Sequence, residues 1–184
     1  MDNNMIDTLI NILIPQQEVK NTEPLNLYCI FDGLKYEKIN MKMENEWKIK
    51  YDSLFEDKNL AISMNYHTPY ICNIPISSIF VKNIISNYGM NGCIFFWSKL
   101  HFKQIIINMQ NLFVIYDEDS KGYLKYYNPH IFNIIMKKSS NSLINRAFKD
   151  IECYFCEDDL NPQYLYKYTY HNHQIQKQTI NLKD

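Results

Sequence analysis

Residues 93–97 read Cys-Ile-Phe-Phe-Trp, an apolar run with no polar face to turn towards water. Such a run reads as a strand at the centre of a sheet, and the rest of the fold has to be built around it. Residues 25–31 (LNLYCIF), closed by Asp32-Gly33, read as a second buried strand, and residues 69–75 (PYICNIP), bracketed by Pro69 and Pro75, as a third. Residues 112–116 and 123–127 read as two strands joined by DEDSKG, a hairpin with a glycine in its loop. Residues 151–156 read as one more strand.

Helical spacing separates these runs. Met5, Ile6, Leu9, Ile10 and Leu13 share one face of an amphipathic helix over residues 1–14, which Pro15 ends for want of an N–H. Residues 16–24 are a polar linker, and 34–58 read as a helix followed by an irregular segment around Trp47 and Phe55. Ile76, Ile79, Phe80 and Ile84 place a helix over 76–87; Phe102, Ile105, Ile106 and Met109 place another after the central run. Pro129 suits the first turn of a helix running to about Lys137, and 142–149 form a short one. Strands interleaved with helices predict an α+β fold: a single compact domain with a mixed β-sheet and flanking helices. Its parts are an N-terminal helix and linker (1–24), a body (25–159) and a C-terminal strand-like extension (160–184).

Composition narrows the function classes. The 184 residues are 46% hydrophobic and 21% charged, which is globular rather than disordered. With 19 Lys and Arg against 20 Asp and Glu, the net charge of -1 speaks against nucleic acid or an anionic membrane as a partner. Arg146 is the only arginine, and four glycines leave no room for a glycine-rich phosphate loop. The skew towards Asn, Ile, Lys and Tyr reads as AT-rich coding bias, so the 15 tyrosines are no signature in themselves. Five cysteines, an odd number inside apolar runs, fit buried thiols of a reducing compartment. The acidic start lacks the features of a signal peptide, and the cytoplasm of a bacterium is the expected location.

Candidate chemistry is sparse. Cys153-x-x-Cys156 reads as half of a zinc site, a redox pair or two buried thiols; on an extended strand the two point to opposite faces, which favours the last. His171 and His173 share a strand face and read as a weak chelate or as solvated residues. The acidic runs Asp117 to Asp119 and Glu157 to Asp159 read as solvated turns rather than an acid–base pair. No metal, cofactor or catalytic residue is expected. Tyr164, Tyr166, Tyr168 and Tyr170 alternate strictly, opposite a face of Leu165, Lys167, Thr169, His171 and His173. This stripe reads either as an edge strand covering the core or as the chain's partner-binding strand. The N-terminal helix reads as docked on its own core.

Laid in order, the segments resemble a known family, the effector adaptors or chaperones of the type VI secretion system that carry domain of unknown function 4123. The blocks are YCIFDG at 28–33, which includes Asp32 and Gly33, YDSLFED at 51–57 and TPYICNI at 68–74, which includes Pro69. The turn and strand at 89–98, the helix at 102–110 and LKYYNPHIF at 124–132 follow. The likeness runs from about Leu25 to Asp159. Where the family carries Arg-x-Tyr-Asp-Pro-Arg, this chain has Lys125, Tyr126, Tyr127, Asn128, Pro129 and His130; where the family has His-Leu-Arg, it has Asn108, Met109 and Gln110. Losing both signs together avoids an orphaned charge. It reads as a structural strand-to-helix corner, with Asn128 as cap and Pro129 at the helix start.

The resemblance implies a non-enzymatic protein that binds a cognate secreted toxin effector and helps load it onto the VgrG spike. The alternative is an immunity-type inhibitor, its acidic runs set against a basic toxin site. An enzyme would need a pocket of converging acid and base groups that the sequence does not announce.

Overall fold

The structure, a computed structural model, describes residues 3–14, 24–36, 39–64, 67–75, 88–117 and 120–183. In chain order it forms α1 (Asn3–Leu13), β1 (Asn26–Asp32) and a 3-10 turn over Gly33–Lys35. Next come α2 (Ile39–Met41), a π-helical turn over Lys42–Trp47, β2 (Tyr51–Ser53), α3 (Lys58–Met64) and β3 (Pro69–Ile74). Then follow β4 (Cys93–Ser98), α4 (Phe102–Phe113), β5 (Val114–Asp117), β6 (Ser120–Tyr123), α5 (Pro129–Lys138) and α6 (Asn141–Ala147). The chain finishes with β7 (Cys153–Glu157), β8 (Tyr164–His171) and β9 (Gln174–Asn181). The helix expected over 76–87 and, apart from Pro24, the expected linker lie outside the described residues.

Seven strands make one sheet in the order β2-β3-β1-β4-β7-β8-β9, with the apolar run of β4 in the middle. Every described ladder is antiparallel, so the α+β class holds with a sheet more uniform than the mixed one expected. The central strands are apolar over most of their length because both faces are covered. On one face Cys29, Phe31, Phe95 and Phe155 pack beneath Leu9 and Leu13 of α1 and Met43 of the π-helical turn. On the other, Tyr28, Ile94, Phe96 and Tyr154 pack beneath Ile105 and Met109 of α4, Phe132 of α5 and Ala147 of α6. Each fully buried Leu, Ile, Met or Phe among them contributes about 1.5–3 kcal/mol. The first helix therefore docks on its own core, and Trp97 Nε1 donates to the Leu13 carbonyl at 2.8 Å to hold its end.

Three local readings need correction. Leu112 and Phe113 finish α4 instead of opening a strand, since both are buried on the helix's core face. The second strand of that hairpin stops at Tyr123; Leu124 to Tyr127 turn instead, because adjacent Tyr126 and Tyr127 are both buried and no strand buries neighbours on one face. The helix expected within 34–58 is broken into a 3-10 turn, α2, the π-helical turn and the short strand β2.

The corner before α5 forms as expected. The Asn128 side chain accepts from the Ile131 N–H, and Pro129 sits in the first turn. Replacing Asn128 with alanine should lower the unfolding free energy by about 1 kcal/mol in urea titrations followed by circular dichroism. Replacing it with serine should recover most of that loss.

Candidate partner-binding surface

The tyrosine stripe lies within the seven-stranded sheet. β8 pairs with β7 on one side and β9 on the other, joined to β9 by a two-residue loop at Asn172 and His173. Both loop residues have positive φ, 51° and 60°, the backbone a tight hairpin turn demands. The stripe faces the helices. Tyr168 is buried against Phe132, and its hydroxyl donates to Asn133 Oδ1 at 2.8 Å. Tyr170 stacks on Phe148 and donates to Asn145 Oδ1 at 2.7 Å. The Tyr166 hydroxyl donates to Asp158, and Lys177 lies 3.1 Å above its ring. Tyr164 is half-buried, and its carbonyl accepts from the Tyr88 hydroxyl at 2.9 Å. Three of the four hydroxyls thus have partners within the chain, and burial pushes the Tyr166 and Tyr168 hydroxyls well above the ordinary range.

The family-like residues gather at one end of the sheet. Asp32 pairs in register with Pro69 and caps the following turn by accepting from the Leu34 N–H; the Gly33 N–H donates to the Thr68 carbonyl. Burial raises the Tyr127 hydroxyl, and the neighbouring Asp32 carboxylate adds to the effect. Asn128 reaches the Asn91 carbonyl at 3.5 Å. His130 is exposed, with Nδ1 2.5 Å from Asp159 Oδ2, and the contact holds the Asp159 carboxyl below its ordinary range. Lys125 is exposed.

Glu157 does not lie in a solvated acidic turn, contrary to the expectation from its sequence neighbours. It is the last residue of β7 and only 3% exposed. Its carboxylate accepts from the Gly89 N–H, with the Asn91 and Gly92 N–H groups beside it. Gly89 adopts a φ of 93°, and a Cβ there would meet Pro162 at 3.1 Å, so the close turn needs glycine. Burial lifts Glu157 to about 7, restrained by those three N–H groups and by Lys35. Asp158 and Asp159, tied to Tyr166 and His130, are likewise not free carboxylates.

Cysteine and histidine candidates stay apart. Cys153 and Cys156 fall on opposite faces of β7, and all five thiols are free and buried. Burial pushes Cys153 up to about 12, far from a reactive thiolate. His171 and His173 are exposed at the hairpin tip. Among the described residues no three His, Cys, Asp or Glu side chains are placed to hold a metal ion. Among them also, no helix is long and apolar enough to cross a membrane.

The surface that does offer grip was not foreseen. A cleft of about 740 Å³ runs between α4 and β5, lined by Ile107, Gln110, Asn111, Val114, Tyr116, Glu56 and Arg146. A second hollow of about 220 Å³ shares Asn111 and Arg146 and continues to Lys149. Ile107 is 59% exposed and Tyr116 79%, with Ile115 also exposed. Beside the cleft, β5 and β6 form a separate two-stranded sheet. A lone hairpin is marginal, and here Phe55 and Phe113 clamp Tyr123 at ring distances of 5.1 Å and 4.9 Å. One signal in the sequence marks this place: Ile105, Ile106 and Ile107 are consecutive, and a helix cannot turn all three towards one core. Compared with protein-family models, curated proteins and solved structures, the chain matches none.

Proposed function

We propose that this chain is a non-enzymatic adaptor, or chaperone, that binds a cognate secreted toxin effector in the bacterial cytoplasm and helps load it onto the VgrG spike of a type VI secretion system. The observation that carries a binding role is the cleft between α4 and β5, where large apolar side chains stand in water beside a hairpin outside the main sheet. Exposed apolar surface of this kind is unfavourable for a lone chain and useful to one that covers it with a partner. The secretion context comes from the ordered likeness of residues 28–33, 51–57, 68–74 and 124–132 to that family. The inhibitor reading loses support at one of its two acidic runs, since Glu157 is buried and Asp158 and Asp159 are bonded within the chain; Glu118 and Asp119 of the other run lie outside the described residues.

Co-expression with the toxin encoded beside it should yield a stable complex on affinity purification and gel filtration, and a ternary complex once the spike protein is added. A toxin that elutes alone, or a complex whose only effect is to block the toxin's activity, would overturn the adaptor reading.

A further inference from the structure

The cleft is lined by charged as well as apolar side chains. Its apolar wall is Ile107 with Val114 and Tyr116, the last two spaced i, i+2 on one face of β5. At one end stands the chain's only arginine; its guanidinium donates to the Asn111 carbonyl at 2.5 Å, which fixes the head group while leaving further N–H donors to the cleft. Lys149 adds a second positive group, and among the described residues Glu56 is the acidic one in the lining. Asp150 lies near that end, in reach of the Asn108 amide at 3.4 Å.

We propose that this cleft docks an acidic, apolar peptide segment of the partner protein, its carboxylate on Arg146 and its apolar side chains against Ile107, Val114 and Tyr116. Arginine supplies a planar fork that matches a carboxylate, and the adjoining apolar wall excludes water from the contact. Among the described lining residues Arg146 and Lys149 outnumber Glu56, which favours an acidic segment over a basic one. The inference deepens the adaptor reading and rests on it for the identity of the partner, but the chemistry of the cleft is testable on the chain alone.

The test pans a displayed library of random peptides against the full chain, then measures synthesised winners by fluorescence anisotropy. Winners should carry Asp or Glu beside Leu, Ile or Phe. Ile107→Asp and Tyr116→Ala should each weaken them about tenfold or more, with the circular dichroism spectrum unchanged. Arg146→Glu should weaken them similarly, and panning on that variant should enrich Lys or Arg instead. Winners without acidic residues, affinities untouched by all three substitutions, or sedimentation showing that two copies of the chain occupy the cleft would each overturn the proposal. A toxin that co-purifies equally well with Ile107→Asp would sink the cleft and leave the adaptor reading standing. Acidic peptides held through Arg146 while the neighbouring toxin never binds would do the reverse.

Discussion

Replacing Tyr168 with alanine should destabilise the protein by about 3–5 kcal/mol, the cost of removing a large aromatic side chain from a packed core. The ring is 1% exposed, lies 5.9 Å from Phe132 and shares the helix-covered core with Tyr154 and Phe96. Its loss leaves a cavity and also strands Asn133 Oδ1, which accepts from the Tyr168 hydroxyl inside the fold. The melting temperature should fall by roughly 10 °C. Tyr168→Phe separates the two parts: it keeps the packing and loses only the hydrogen bond, at a cost of about 1–3 kcal/mol with the acceptor left unmet. Urea unfolding followed by circular dichroism checks both. An unchanged midpoint for the alanine variant would mean that β8 is not held against α5 as described.

Stability should fall as pH rises from 5 to 8, and Glu157→Gln should remove that slope. In the folded chain the Glu157 carboxyl titrates at about 7, against 4.5 for its ordinary value. The folded state therefore holds this proton more tightly than the unfolded state. Its contribution is fully present below about 4.5 and is lost as pH rises through about 7. The difference amounts to roughly 3 kcal/mol, a figure that already contains the offset from the three neighbouring N–H groups. Glutamine keeps an acceptor for the turn at Gly89 without the charge, so this variant should be the more stable of the two at pH 8 and close to wild type at pH 5. Asp159 acts in the opposite sense. Its carboxyl is held down by His130, so its contribution is present above its ordinary value of 3.8 and lost in more acidic solution. Thermal melts in buffers from about pH 2 to 9 would show both limbs. A wild-type curve that rises towards pH 8 would remove Glu157 as the cause.

Much of the frame was legible because it follows from periodicity. The unbroken apolar run of β4 read as central, and it occupies the middle of seven strands. The Leu9 and Leu13 face of α1 and the Asn128-Pro129 helix start were equally plain, since spacing and capping chemistry act locally. What the sequence hid depends on neighbours far along the chain. The alternation of Tyr166, Tyr168 and Tyr170 was visible, but whether helices or solvent faced them depended on where α5 and α6 fold back. β9 escaped notice because Gln174, Gln176, Lys177 and Gln178 give no apolar alternation; its pairing comes from the turn at Asn172 and His173. Glu157 looked solvated beside two aspartates, although extending the strand from Cys156 by one residue already places it inside. The cleft is a property of two surfaces meeting, and only the surplus isoleucine at position 107 betrayed it.

The order of strands has a consequence for synthesis. The half-sheet β2-β3-β1-β4 is complete once residue 98 has left the ribosome, yet the next neighbour of β4 begins at Cys153. Throughout that interval the nascent chain carries an open flank made of its most apolar and most β-prone segment. Interrupted translation products ending there will clump with one another, and the full-length polypeptide escapes this fate only by delivering β7 before a second copy supplies a substitute.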